Sequence, residues 1–144
     1  KVYVRDVNNS GQVVGWMSAT TSGGARAFVW KNGVYTDLGM SGAMVYGIND
    51  AGQVVGCVRD ALGRDQAFLW DSANGTRMLG MSPGYTQGVP EAINESGWIV
   101  GKVWDSVGDG HLVMWAPVPE PSSLLALVTA LVSAGLLRRR PRMI

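Results

Sequence analysis

Few residues of this chain have side chains that could carry nucleophilic or acid–base chemistry. It has one cysteine, Cys57, and one histidine, His111, so an internal disulfide and a cysteine-based zinc site are excluded. Residues 80–84 read Gly-Met-Ser-Pro-Gly and match the G-x-S-x-G pattern of a serine nucleophile, which needs a strand before the serine and a helix after it. A proline and a glycine-rich loop follow Ser82 instead. We therefore expect a turn here, with a triad that includes His111 as the alternative.

Four aspartates lie in predicted loops and could act as acids in an enzyme that cleaves polysaccharides. Such an enzyme would need carboxylates or a histidine clustered at one mouth of its scaffold. Gly108 and Gly110 favour an ordinary hairpin loop before His111 rather than a metal-binding loop. We expect no catalytic residue, metal or cofactor, and we keep the polysaccharide lyase or hydrolase as an alternative. The four are Asp60, Asp65, Asp105 and Asp109, which do not recur as a set in the repeats described next.

An internal repeat determines which elements would position these side chains. A block of nine residues ending in Val-Gly occurs three times, with spacings of 41 and 45 residues. A second block ending in tryptophan follows each copy, and a third block follows the first two. Matched blocks at a nearly fixed period indicate a repeat architecture. The blocks are VNNSGQVVG (7–15), INDAGQVVG (48–56) and INESGWIVG (93–101); RAFVW (26–30), QAFLW (66–70) and HLVMW (111–115); and DLGM (37–40) and MLGM (78–81).

Each repeat reads as four short strands. In the second copy, runs at 44–48 and 53–58 flank the turn Asn49-Asp50-Ala51-Gly52, and runs at 66–70 and 76–79 flank Asn74-Gly75. Asparagine bonds its own backbone and glycine supplies positive φ, so both segments are typical of tight hairpins. Four strands in 40–45 residues match one propeller blade. We predict an all-β, partial β-propeller-like array of about three units, with an open stack as the alternative.

The repeat also suggests roles for the tryptophans and for Cys57. Three tryptophans share one repeat position, which is typical of a core layer, whereas the others share none and could stack on sugars or pack between units. Cys57 occupies a position taken by Trp16 and Lys102 elsewhere, so we expect a buried or edge thiol. The recurring tryptophans are Trp30, Trp70 and Trp115, and the others are Trp16, Trp98 and Trp104.

Charge divides the chain into two parts. Residues 1–117 carry eight Lys/Arg and ten Asp/Glu, a balance of −2, whereas 118–144 carry four Arg and one Glu, a balance of +3. No part of 1–117 is basic enough to suggest nucleic acid as a partner. The apolar fraction of 47% with only 16% charged residues excludes a disordered chain.

The C-terminal segment has the pattern of a membrane anchor. Residues 124–137 contain no charge, and Arg138, Arg139 and Arg140 follow at once. A helix over 122–137 would be about 24 Å long, short of the ~30 Å hydrocarbon core, but arginine side chains can extend to the interface. We predict one short transmembrane helix. The positive-inside rule places the arginines in the cytoplasm and the repeats outside.

The same segment resembles the PEP-CTERM sorting signal of Gram-negative bacteria. Pro119, Glu120 and Pro121, an apolar helix and an arginine cluster occur in that order within 117–142. The resemblance implies export across the inner membrane, anchoring by the tail, and cleavage near Pro-Glu-Pro by an exosortase. It also implies an association with exopolysaccharide and cell-surface layers.

The upstream repeats resemble the HAF-family extracellular repeat, whose motif is I-N-x-x-G-x-x-V-G, then H-A-F-x-W and D-L-G. Arg26 and Gln66 replace the histidine in the first two copies; the third keeps His111 but has Leu112-Val113 in place of Ala-Phe. The resemblance implies a propeller-like fold and supplies no ligand.

Together these patterns predict an exported, non-enzymatic surface protein that acts as a matrix or binding module, with permanent anchoring as the alternative fate of the tail. Because the sequence starts inside a strand-like run, we expect further repeats before Lys1. The predicted parts are a β-repeat domain, 1–116, with units at about 1–41, 42–86 and 87–116; a Pro-rich linker, 117–123; and the helix with its arginine-rich end, 124–144.

Overall fold

The computed structural model describes residues 1–18 and 24–119, and every regular element in them is a β-strand. The strands are β1 (Val2–Val7), β2 (Val13–Ser18), β3 (Ala25–Lys31), β4 (Val34–Ser41), β5 (Ala43–Ile48), β6 (Val54–Arg59), β7 (Asp65–Asp71), β8 (Gly75–Met78), β9 (Tyr85–Ile93), β10 (Ile99–Asp105) and β11 (Gly110–Trp115).

The strands form three open antiparallel sheets in which neighbours in sequence are neighbours in space. The first sheet is β1-β2-β3-β4, the second is β5-β6-β7-β8, and the third is β9-β10-β11. The all-β class and the four-stranded units are confirmed for the first two copies, and the third has three strands. In the second unit the strands fall within about one residue of their predicted positions, because Asn-x-x-Gly and Asn-Gly turns fix both hairpins.

The hydrophobic core lies between sheets rather than within one of them. One cluster joins Val14 and Val29 of the first sheet to Val45 and Val54 of the second, all buried. The other joins Val55, Leu69 and Leu79 of the second sheet to Ile99 of the third. Since side chains alternate along a strand, β6 directs Val54 to one neighbour and Val55 to the other. The second sheet is therefore packed on both faces.

Successive sheets approach each other mainly through their first strands. Strand β5 packs against β1, β2 and β3 of the first sheet, and β9 packs against β5, β6 and β7 of the second. The fourth strands β4 and β8 have no comparable packing against each other. The described sheets are thus in closest contact on the side of β1, β5 and β9.

A β-bulge, which no local sequence signal predicts, recurs at one position in the first strand of every unit. One residue of the strand is skipped in the register, and a glycine of the second strand lies beside it. A Cβ on Gly56 would collide with the carbonyl oxygen of Met44 and lie 2.6 Å from Cζ of Phe68. The final Gly of the V-G motif is therefore required by close packing. The bulged residues are Arg5, Tyr46 and Glu91, and the glycines are Gly15, Gly56 and Gly101.

The predicted transmembrane helix, 124–137, lies outside the described residues. Within 1–18 and 24–119, no helix is long and apolar enough to cross a membrane.

Candidate functional site

The Asn-x-x-Gly turns are the most regular polar feature of the molecule. In the second unit, Asn49 Oδ1 accepts a hydrogen bond from the backbone N–H of Gln53 at 3.0 Å, and Asn49 Nδ2 donates to Gln53 Oε1 at 2.7 Å. Gly52 has φ of +76° and donates its N–H to the Asn49 carbonyl. The predicted tight turn is confirmed: the asparagine side chain bonds the backbone of its own turn, and the glycine has a positive φ.

These asparagines also bond the next unit, and we call the resulting row the asparagine ladder. Asn8 Nδ2 donates to the carbonyl oxygen of Asn49 at 3.0 Å, and Asn49 Nδ2 donates to the carbonyl oxygen of Asn94 at 3.1 Å. Each turn thus satisfies a backbone acceptor 41 or 45 residues further along the chain. The sequence repeats the asparagine at this spacing, but only the packing of the sheets shows that the turns touch.

The residue after each asparagine adds a second set of contacts. The backbone N–H and Nδ2 of Asn9 donate to the two carboxylate oxygens of Asp50 at 2.8 and 2.6 Å. The backbone N–H of Asp50 in turn donates to Glu95 Oε2 at 2.9 Å. The hydrogen bonds from Asn9, first from its side chain, lower the pKa of the Asp50 carboxyl. At the turns, the donors therefore lie in the earlier unit and the acceptors in the later one.

The ladder changes at the third unit. Asn94 Oδ1 still accepts from the backbone N–H of Trp98 at 2.9 Å, but Trp98 stands where the other turns have glutamine. Asn94 Nδ2 consequently lacks the glutamine acceptor and the next-unit carbonyl, and it has no acceptor among the described residues. Trp98 itself is exposed.

An open groove of about 380 Å³ lies on the outer face of the third sheet. Its lining combines an ion pair, Lys102 Nζ to Glu91 Oε1 at 3.0 Å, with apolar and aromatic surface. Leu112, one of its walls, is 84% exposed. A groove of this composition suits a partly apolar partner. Trp104, His111 and Val100 complete the main lining.

His111 lies at the edge of this groove, and the residues that its side chain contacts have structural roles. Its Nε2 is 3.6 Å from Asp105 Oδ2, and its ring meets Tyr85 edge to face. Asp105 Oδ1 accepts the backbone N–H groups of Val107 and Asp109 at 3.0 Å each. These bonds, that of Asp109 first, lower the pKa of the Asp105 carboxyl. Asp105 thus closes its own loop.

Asp60 occupies the equivalent loop of the second unit. Asp60 Oδ1 accepts from the backbone N–H groups of Leu62 and Arg64 at 2.9 Å each, the pattern that Asp105 makes with the residues two and four ahead. Asp60 and Asp105 therefore share a repeat position, although the four loop acids do not recur as a set. Asp65, by contrast, pairs with Arg59 at 3.3 Å. The recurring aspartate serves to close the hairpin.

Cys57 and Ser82 occupy positions that do not suit a nucleophile. Cys57 is fully buried with its Sγ 3.7 Å from the Tyr46 hydroxyl, and burial raises the pKa of its thiol to about 11. Ser82 is exposed in the connection between β8 and β9, and a strand follows it instead of the helix that a nucleophile elbow requires. The expected buried thiol and the expected turn are both confirmed.

The recurring tryptophans lie at the margins of the cores. Trp70 and Trp115 are partly buried against the first and second core clusters, and Trp115 Nε1 donates to the carbonyl oxygen of Gly80 at 2.8 Å. Trp30 is also partly buried. Trp16 stacks on Tyr3 with ring centroids 5.2 Å apart. The repeated position therefore joins neighbouring units for Trp70 and Trp115.

Of the predicted sorting residues, only Pro119 lies within the described part of the chain, and it is exposed. Val118, directly before it, is partly buried against the second core cluster. Glu120, Pro121, Arg138, Arg139 and Arg140 lie outside the described residues.

Among residues 1–18 and 24–119, no group of three or more His, Cys, Asp or Glu side chains is placed to hold a metal ion. Comparison with protein-family models, curated proteins and solved structures found no match to the chain. The likeness to the HAF repeat and to the PEP-CTERM signal therefore rests on the motif residues themselves.

Proposed function

We propose that this chain is an exported, non-catalytic cell-surface protein whose β-repeats bind or build extracellular matrix and whose tail is a PEP-CTERM sorting signal. The observation that carries the proposal is the order of features at 117–142: a proline-rich linker with Pro-Glu-Pro, an uncharged segment and an arginine cluster. The partners are an exosortase-type enzyme, the inner membrane and exopolysaccharide.

The last described residues support this use of the tail. Val118 is held against the second core cluster, whereas Pro119 is exposed. Pro119, the first residue of the Pro-Glu-Pro motif, is therefore accessible at the surface. Glu120 is the only charge between Asp109 and Arg138, so it is the natural polar feature for a processing enzyme to recognise.

A propeller-like arrangement of the units is the finer part of the proposal. Neighbouring sheets pack closely through β1, β5 and β9 and less through their fourth strands, as wedge-shaped blades around an axis would. The asparagine ladder would then follow the inner strands around that axis.

The hydrogen bonds and the burial of the candidate catalytic groups support binding rather than catalysis. Asp60 and Asp105 close hairpin loops, and the Cys57 thiol packs in the core. The groove on the third sheet offers Trp104 beside the Glu91–Lys102 pair, a combination of stacking surface and polar groups that suits saccharides.

The sorting proposal is tested by Glu120→Ala in the full chain, expressed in a Gram-negative host with an exosortase. We expect the variant to enter the membrane like the wild type but to remain uncleaved, so that the full-length form accumulates in the membrane fraction. Intact-mass measurement of membrane and released fractions distinguishes the forms. Ser123→Ala is the matched control and should be processed normally. Equal release of Glu120→Ala and wild type would refute the proposal.

A further inference from the structure

A groove of about 320 Å³ opens between the first and second units, where β3 and β4 face the end of β7. We call this groove the first seam, and the corresponding contact between the second and third units the second seam. Both walls of the first seam belong to units that pack directly on each other. Its volume is in the range of ligand-binding sites. The lining residues are Gln12, Val29, Lys31, Val34 and Thr36 of the first unit and Trp70 and Ser72 of the second.

The apolar part of the first seam extends from the core to the surface. Val29 is buried in the first core cluster, and Trp70 is partly buried against the same cluster. Val34, by contrast, is 65% exposed. An indole combines a flat apolar face with one N–H donor, so Trp70 can contact the ring of a ligand and bond one of its oxygens.

The unpaired nitrogen atoms of the first seam are all hydrogen-bond donors. Gln12 Oε1 accepts from Asn8 Nδ2 at 2.8 Å, which leaves Gln12 Nε2 as a donor. Trp70 Nε1 and Lys31 Nζ have no partner among residues 1–18 and 24–119. In that part of the chain, the one buried side-chain polar atom without a partner is Arg77 Nε, so solvent reaches Trp70 Nε1. The seam therefore suits a ligand that supplies acceptors.

The charge of Lys31 distinguishes the first seam from the second. Asp71 occupies the repeat position of Lys31, and Arg77 occupies that of Thr36. Asp71 Oδ2 and Arg77 Nη2 form an ion pair at 2.7 Å, so the charges of the second seam neutralise each other. Lys31 faces Thr36 instead of an acid, and the structure gives it no ion pair within the described ranges. A positive charge is therefore left for a ligand.

The tryptophan of the second seam is bonded inside the protein, unlike that of the first. Trp115, at the repeat position of Trp70, donates its Nε1 to the carbonyl oxygen of Gly80 at 2.8 Å. The equivalent residue of the first unit is Gly39, which has a φ of +80°, whereas Gly80 has no positive φ. Val118 also packs against the core cluster of the second seam. The same place in the fold is thus closed by internal contacts once and left open once.

We propose that the first seam binds an acidic saccharide, a sugar unit that carries a carboxylate within an extracellular polysaccharide. Lys31 Nζ pairs with the carboxylate, and Trp70 lies against the sugar ring and donates its Nε1 to a hydroxyl oxygen. Gln12 Nε2 and the hydroxyl groups of Thr36 and Ser72 bond the remaining oxygens. This inference rests on the proposed binding of extracellular matrix, names a site separate from the groove on the third sheet, and does not depend on the tail.

The test compares tetragalacturonate with its fully methyl-esterified form, which has the same sugar rings but no charge. Isothermal titration calorimetry of the full chain in mild detergent measures the affinity for each. We expect the charged form to bind about 3- to 5-fold more tightly than the ester, which is the contribution of one exposed ion pair. Added salt should reduce this difference, because it screens exposed charges.

Two variants separate the charge of the seam from its aromatic surface. Lys31→Met keeps the length of an exposed side chain and should make the two forms bind equally. Trp70→Phe keeps a ring against the core but removes the N–H, so it should weaken both forms by about 3-fold or more. Lys102→Met is the matched control, because Lys102 is also exposed but lines the groove on the third sheet. It should leave the difference between the two forms unchanged. Thermal unfolding checks that each variant folds.

A peptide with the same number of carboxylates tests whether the ligand must be a saccharide. Capped tetraglutamate has no sugar ring to lie against Trp70, and its flexible chain loses more conformational entropy on binding. It should therefore bind at least ~3-fold more weakly than tetragalacturonate.

Three results would overturn this inference and leave the proposed function standing. They are equal affinities of the wild type for the charged form and its ester, a difference that Lys102→Met removes but Lys31→Met does not, and binding of tetraglutamate as tight as that of tetragalacturonate. The second would place the acidic saccharide in the groove on the third sheet, and the third would indicate an acidic peptide. If neither saccharide bound, both this inference and the polysaccharide part of the proposed function would be wrong.

Discussion

At the scale of single residues, Asn49 is a buried polar side chain whose hydrogen bonds join two units. It is 1% exposed, it closes its own turn through Gln53, and it bonds the carbonyl of Asn94 in the next unit. A buried polar group with all its partners is stabilising mainly because the partners would otherwise be left unsatisfied.

We therefore expect Asn49→Ala to lower the free energy of unfolding by about 3 kcal/mol, because it leaves the Gln53 N–H and the Asn94 carbonyl without their partner. Asn94→Ala is the matched control at the same repeat position. Its side chain is exposed and, among the described residues, bonds only Trp98, so the loss should stay below about 1 kcal/mol. Urea unfolding of the full chain measures both. Equal losses would show that the ladder contributes nothing beyond the turns.

At the scale of elements, the first two strands of each unit pack closely because the first strand has a bulge and the second has a glycine beside it. Met44 and Phe68 leave no room for a side chain at position 56, and the equivalent glycines of the other units are similarly enclosed. The absence of a side chain at this glycine lets the first hairpin pack closely against the aromatic side chain of the third strand.

Gly56→Ala should therefore destabilise the chain by about 2–4 kcal/mol, since the added methyl group must displace backbone as well as Phe68. Gly80→Ala is the control, because a Cβ there meets nothing within 4 Å and the residue has no positive φ. It should change stability by less than about 1 kcal/mol. Thermal unfolding followed by circular dichroism compares them; similar Tm shifts would contradict the packing argument.

The sequence predicted the positions of the strands better than the pairing of strands and the packing of sheets. Strand positions followed from local signals, since alternating apolar runs and Asn-Gly turns act within a few residues. The bulges at Arg5, Tyr46 and Glu91 could not be predicted, because they depend on pairing with the next strand. The bonds of Asn8 and Asn49 to the next turn depend on how sheets stack. The loop role of Asp60 and Asp105 required their hydrogen bonds to be seen.

At the scale of the whole molecule, the second sheet contributes side chains to both core clusters. Since the first and third sheets bury their core residues against the second sheet, the stabilities of the three units are coupled. Stability in such an array is a sum of unit and interface contributions.

We expect Leu69→Ala to cost about 3 kcal/mol and the single unfolding transition to move as a whole, because Leu69 lies between the second and third sheets. Met114→Ala, at the same repeat position but 59% exposed, should cost less than about 1 kcal/mol in dilute solution. Urea unfolding followed by tryptophan fluorescence measures both. Two resolved transitions in the wild type would contradict the dependence between units.

The one-way bonding of the Asn-x-x-Gly turns bears on how such a chain can evolve. Each turn carries both the donor for the turn after it and the acceptor for the turn before it. An in-frame duplication of one unit would therefore create a new pair of neighbouring turns whose donor and acceptor already match. The number of units can change by recombination within one gene while the fold of each unit stays the same.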